Sequence, residues 1–200
     1  VETHDITVRK CIVWNDKVRA FGVAGESRHD IYNAIFEDCD VLHSMADWTT
    51  EVGALAVYIC DAAKVHHIVF RNIRIRQESN YAICCVITRD KWSSDERAGQ
   101  VEDILFEDIM LPENYSIYLS GFSEEHKIRN LCFRGGDLEN CGQHMERKEF
   151  VEVKQTKEVR IMRTPDIRIR DPYIVADKET KQYFLFGTTD SDPWNGEGEG

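Results

Sequence analysis

Carboxylates and a histidine scattered through the first hundred residues supply the groups for acid–base chemistry at an oxygen. Glu26, Asp40, Asp61 and Asp90, together with His43, stand between short apolar runs. Two carboxyl groups held near one substrate can divide acid–base work between them, one activating water and the other protonating a leaving oxygen. The same residue types also recur at solvated corners of a fold. Asp38, Asn72 and Asp108 occupy one shared repeat position, which marks those three as structural. His43 and the pair His66-His67 lack the ligand spacing of a metal site, so neither a metal nor another cofactor is expected. Seven cysteines without a CxxC do not spell out a zinc site or a disulfide framework. Cys11 and Cys39 are expected to be core residues on neighbouring turns, and Cys84-Cys85 to pack as small hydrophobes. One more carboxylate stands apart. Asp171 is followed by Pro172, which biases it towards extended backbone and is tolerated where a strand begins. A turn or capping aspartate has the same signature.

The elements that must position these groups come from a pattern that recurs five times. Its copies are Asp5-Ile6-Val8-Cys11-Val13, Asn33-Ala34-Phe36-Cys39-Val41, His67-Ile68-Phe70-Ile73-Ile75, Asp103-Ile104-Phe106-Ile109-Leu111 and the degraded Asn130-Leu131-Phe133-Gly136-Leu138. The central residues lie 27 to 36 positions apart, an elastic spacing that marks a solenoid with its length variation in loops. Within a copy the apolar residues alternate, so the unit is a strand, and the polar residue that opens it suits a corner. A second apolar run follows each of the first four copies: Phe21-Val23, Leu55-Val57-Ile59, Ala82 to Ile87 and Ile117-Leu119. Two or three short strands per turn, stacked on their own copies, predict an all-β chain, a right-handed parallel β-helix over residues 1–162.

Composition narrows the partners. A net charge of −11 argues against nucleic acid or an anionic membrane as partner, and no apolar run approaches the roughly 20 residues of a spanning helix. Residue 1 enters mid-repeat without a cap, so the chain is expected to be a piece of a longer protein. Phe150 to Lys154 reads as the last solenoid-like strand, followed by Val159-Arg160-Ile161. After the turn signal Thr164-Pro165-Asp166 the pattern changes. An apolar strand through Ile174, a polar turn at Lys178–Lys181 and an aromatic strand through Phe186 predict an antiparallel hairpin over residues 163–200. An isolated hairpin is marginal in water, so this one should open a larger sheet.

Arg170-Asp171-Pro172-Tyr173-Ile174 and Tyr183-Phe184-Leu185-Phe186-Gly187-Thr188 resemble the opening of glycoside hydrolase family 43, a five-bladed β-propeller whose first innermost strand begins with an Asp-Pro pair. The resemblance covers only this short C-terminal stretch. It implies that Asp171 is the general base, with the acid and its tuning carboxylate in later blades. The second strand runs back, so Thr188 and the loop to Trp194 would reach the same mouth, where Trp194 can stack on a sugar. Residues 1–150 resemble the pectin-lyase-like β-helix of family 28, through Trp14-Asn15-Asp16, Phe36 to His43 and Asn72-Ile73-Arg74-Ile75. The Asp pair and Gly-His-Gly segment of that family's cleft are absent at Lys17–Ala20 and Val52-Gly53-Ala54. The expectation is therefore part of a secreted or periplasmic, inverting glycoside hydrolase of plant-type polysaccharide: arabinan, xylan or pectic side chains. Asp171 is catalytic, and Asp40, His43, Asp61, Thr188 and Trp194 contact substrate. The alternative is a non-catalytic β-helix that binds polysaccharide or serves as an adhesin or tailspike-like stalk.

Overall fold

The computed structural model describes residues 1–45, 52–76 and 81–154, together with the backbone of 170–177 and 182–188. In chain order the strands are β1 (Thr3–Arg9), β2 (Ile12–Asn15), β3 (Phe21–Gly25), β4 (Ile31–Ser44), β5 (Gly53–Ile59), β6 (Lys64–Ile75) and β7 (Tyr81–Ile87). They continue with β8 (Gln100–Ile109), β9 (Ile117–Ser120), β10 (Ile128–Gly136), β11 (Met145–Arg147), β12 (Val151–Lys154), β13 (Arg170–Asp177) and β14 (Gln182–Thr188). The chain is all-β and divides into two units, Val1–Thr156 and Lys157–Gly200. Among the described residues no helix is long and apolar enough to cross a membrane.

The first unit alternates between two parallel sheets. One runs β1-β4-β6-β8-β10-β12, with β2 also on β4; the other runs β3-β5-β7-β9-β11. Each pass of the chain adds one strand to each sheet, and both sheets are open, ending in edge strands. A turn of two 3₁₀ segments over Asp137–His144 leads into β11, a strand that the sequence pattern does not anticipate.

The repeat has a backbone origin. Asp5, Asn33, His67, Asp103 and Asn130 all have φ between +50° and +57°, and register stacks them on adjacent strands. Five residues on, Lys10, Asp38, Asn72, Asp108 and Gly135 form a second left-handed ladder with φ between +48° and +67°. Asn and Asp tolerate this region better than other residues with a Cβ. They also bond sideways: the Nδ2 of Asn33 donates to Asp5 Oδ1 at 3.2 Å, Asn72 to Asp38 at 2.7 Å, and Asn130 to Asp103 at 2.9 Å. These residues do not precede the strand; they kink it from within, and β4 passes through two of them. A left-handed residue resets the inward–outward alternation. That is why Phe36 and Cys39 both face inward although three positions separate them.

Between the ladders lies the core. Phe36, Phe70, Phe106 and Phe133 stack with ring centroids 4.9, 4.9 and 5.3 Å apart, and Phe70 and Phe106 are completely buried. Each such ring removed from water stabilises the fold by about 1.5–3 kcal/mol. Cys39, Ile73 and Ile109 form the next inward row, and Cys11 packs against it, its amide donating to Cys39 Sγ at 3.4 Å. Cys84 and Cys85 are buried on opposite faces of β7. All seven cysteines are free thiols, and burial pushes the Cys39 and Cys85 thiols up.

The second unit contains the expected antiparallel pair. Tyr173 to Asp177 in β13 face Phe186 to Gln182 in β14. The ladder slips between Arg170, opposite Thr188, and Tyr173, opposite Phe186. Asp171 and Pro172 occupy that irregularity.

Candidate functional site

The polar candidates of the first unit fall into two groups. Asp40 and His43 lie beyond the second left-handed kink, on the outer side of the β2-β4-β6 sheet. Asp40 stands in register between Ile12 and Arg74. Arg74 clamps it with two bonds, Nε to Oδ1 and Nη2 to Oδ2, both at 2.6 Å. This fork-on-fork geometry is the strongest common form of ion pair. The Arg74 bonds hold the Asp40 carboxyl below its ordinary range despite partial burial, and the charges of Arg74 and Arg76 add to the effect. Asp40 is therefore an acceptor and not a proton donor at neutral pH.

His43 faces a different neighbour. A register slip between Val13 and Trp14 sets Trp14 opposite His43, and the rings stack with centroids 4.7 Å apart at 23°. Asp16 Oδ1 accepts the indole N–H of Trp14 at 3.0 Å and lies 3.3 Å from His43 Nε2. Asn15 shapes the turn that carries Asp16: its Oδ1 accepts the Lys17 amide at 3.1 Å, and its Nδ2 donates to the Arg19 carbonyl at 2.6 Å. Trp14 is 66% exposed, with Ile12, Leu42 and Met45 exposed as well. The result is an indole fixed in orientation yet open to water, two residues along β2 from Ile12, which stands in register with the Asp40 of the carboxylate–guanidinium pair. Such a surface can take the apolar face of a ring and bond its hydroxyls.

Glu26, Asp61 and Asp90 gather elsewhere, around Cys60 at the end of β5. Burial and the negative charges of Asp90, Asp61 and Glu26 push the Cys60 thiol up to about 11. Asp61 is completely buried. Its Oδ1 accepts the amides of Ser94 and Asp95 at 2.8 and 2.7 Å, and its Oδ2 accepts the Ser94 hydroxyl at 2.9 Å. Arg28 Nε lies 3.9 Å from Oδ2. Burial raises the Asp61 pKa, but these bonds together with the Arg28 charge outweigh it and leave the carboxyl below its ordinary range. Asp61 thus staples the β7–β8 loop, and both its oxygens are engaged there. The expectation that Asp61 meets substrate finds no accessible surface. Asp90 is similarly engaged, accepting the Tyr58 hydroxyl at 2.6 Å and the Trp92 amide at 2.7 Å. Glu26 is exposed just beyond β3.

Of the residues in the second unit, Asp171 lies at the irregular end of β13, and Thr188 closes β14 at that same end. Trp194 lies outside the described residues. Among the described residues no group of three His, Cys, Asp or Glu side chains is arranged to hold a metal ion. His66 and His67 bring their Nδ1 atoms within 2.6 Å of one another. Trp14 and Arg74 join the site although neither is among the residues expected from the sequence. The signal for Arg74 was there, since it recurs at the repeat position of Asp40 with the opposite charge. Trp14 required the register slip, which no spacing reveals. No family model, curated protein or solved structure matches this chain.

Proposed function

We propose that this chain is part of a carbohydrate-active glycoside hydrolase. In this reading the stacked parallel sheets are turns of a right-handed parallel β-helix, and the β13–β14 pair opens the first blade of a five-bladed propeller. Asp171 is the general base of an inverting, two-carboxylate hydrolysis of plant-type polysaccharide. The observation that carries the reading is the irregularity over Asp171-Pro172, which lies at the same end of the hairpin as Thr188. A bulged strand start is a common way to aim one side chain at a site. A propeller would gather the remaining carboxylates from other blades around that mouth. The setting that goes with this reading is secreted or periplasmic.

The test is Asp171→Asn in the full-length protein, assayed on aryl arabinosides and xylosides. Loss of a general base is expected to lower kcat by about 10²–10⁴. Unchanged turnover removes Asp171 from that role.

A second reading has its own support. The exposed Trp14, oriented by Asp16 and His43 on the strand pair that also carries Asp40, favours a polysaccharide-binding role for the first unit, with or without catalysis. Affinity electrophoresis in arabinan and xylan gels tests it. Trp14→Ala is expected to abolish retardation, and equal migration of variant and parent in polysaccharide-containing gels counts against binding there.

A further inference from the structure

Around the connections that leave β9 and β11, the first unit holds a cleft of about 660 Å³ lined by Ser120, Gly121, Phe122, Arg147, Lys148, Glu149 and Phe150. It is a groove largely open to solvent, suited to one unit of a longer chain rather than to an enclosed small molecule. Three features separate it from an ordinary surface fold. The first is Phe150, whose φ is +58°. Among the described residues ten non-glycine residues have positive φ; nine stand in the two polar ladders, and Phe150 alone does not. A bulky residue in the left-handed region is an outlier, and such strain collects at binding sites.

The second is Gly121. A Cβ there would lie 2.2 Å from the Phe150 carbonyl oxygen and 2.7 Å from its Cβ. Only glycine lets the strained segment approach so closely, and the Gly121 amide secures it by donating to the Glu149 carbonyl at 3.1 Å. The third is the lining. Phe122 is 44% exposed and meets His126 edge-on at 6.4 Å. Arg147 uses one of its five N–H donors on the Val151 carbonyl. Glu149 adds a carboxylate to the lining and Lys148 pairs with Glu146 at 2.7 Å, so the local positive charge rests on Arg147, the cation of this wall that no carboxylate engages among the described residues.

We propose that this cleft binds one unit of an anionic saccharide, with the apolar face of its ring on Phe122 and its carboxylate or sulfate group on Arg147, assisted by Lys148. The chain as a whole carries −11, so non-specific attraction cannot gather polyanions; the recognition is local. The inference deepens the carbohydrate-active reading and rests on it, but it does not involve Asp171.

Calorimetric titration of this 200-residue chain tests it with three oligosaccharides of equal length: oligogalacturonate as carboxylate source, a sulfated galactan fragment as sulfate source, and a neutral xylan fragment. At least one anionic oligosaccharide is expected to bind about tenfold more tightly than the neutral one, and more weakly as salt rises. Phe122→Ala and Arg147→Gln should each weaken that binding by about fivefold or more, Phe122→Ala with the thermal midpoint unchanged and Arg147→Gln with only the small drop that its lost bond to the Val151 carbonyl implies. Lys148→Gln, at an exposed position, provides a variant with little risk to the fold, and Trp14→Ala should leave this binding intact. No anionic preference, no binding, or undiminished binding by Phe122→Ala and Arg147→Gln overturns the proposal. Anionic binding alongside full turnover by the Asp171→Asn protein would sink the hydrolase reading and leave this one standing. The opposite pair of results would do the reverse.

Discussion

At the scale of single residues, Asp61 shows how a carboxylate that looks suited to a cleft becomes a structural part. Its two oxygens accept three bonds from Ser94 and Asp95 while the side chain is sealed from water. Asp61→Asn replaces one acceptor by an amide that faces donors, so a loss of about 1–3 kcal/mol is expected in denaturant unfolding. The pH dependence has a definite sign. A carboxyl whose folded pKa lies below its ordinary value of 3.8 contributes stability that is present above that value and lost as pH falls through the folded pKa. The wild type should therefore lose this contribution on acidification below about pH 4, and Asp61→Asn should show a flatter acid limb. An equally steep limb in the variant would assign the acid sensitivity to other groups. His66 has the opposite chemistry and the same direction. Burial, then the charges of His67 and Lys64, lower its pKa from 6.5, so protonation below that value favours the unfolded chain.

At the scale of elements, the left-handed ladders decide where each strand of the larger sheet turns. Asn72 has φ +48° and donates to Asp38 at 2.7 Å, so two contributions meet at one residue. Asn72→Ala should cost about 1–2 kcal/mol from the backbone conformation, plus the lost bond. Asn72→Gly should recover the backbone part, and a thermal melt of the two variants separates the contributions. If glycine destabilises as much as alanine, the side-chain bond is the whole effect. The core ladder obeys a simpler rule. Phe70→Ala leaves a void between two stacked rings and should cost about 3–5 kcal/mol. Both rows were legible in the sequence, because Asn, Asp and Phe recur at fixed offsets. Their relation was not: the pattern alone reads as a corner followed by a strand, whereas the corner residues lie inside the strand. Alternation in a sequence cannot distinguish a strand that starts from one that kinks.

At the scale of the whole molecule, the first unit is a one-dimensional stack in which each strand pair holds mainly its neighbours. Stability in such an array is highest in the middle. Hydrogen exchange should be slowest in β6 and β8, which have partners on both sides, and fastest in the edge strands β1, β3, β11 and β12. Uniform protection along the stack would mean that the unit opens only as a single block. The sequence by itself determined the all-β class, the stacking of like on like and the hairpin at the C-terminal end. Each depends on local periodicity or turn chemistry, which the order of residues records directly. It also marked Asp40 and His43 as polar groups near one another in the chain. Only the tertiary structure decided what those groups touch. Asp40 meets Arg74 from thirty-four residues away, His43 meets Trp14 through a register slip, and Asp61 is closed over by the Ser94 loop. The same holds for the cleft at Phe150, whose walls come from two connections joined by one close approach at Gly121. Contacts between distant segments depend on register and loop path, and neither is written in the spacing of residue types.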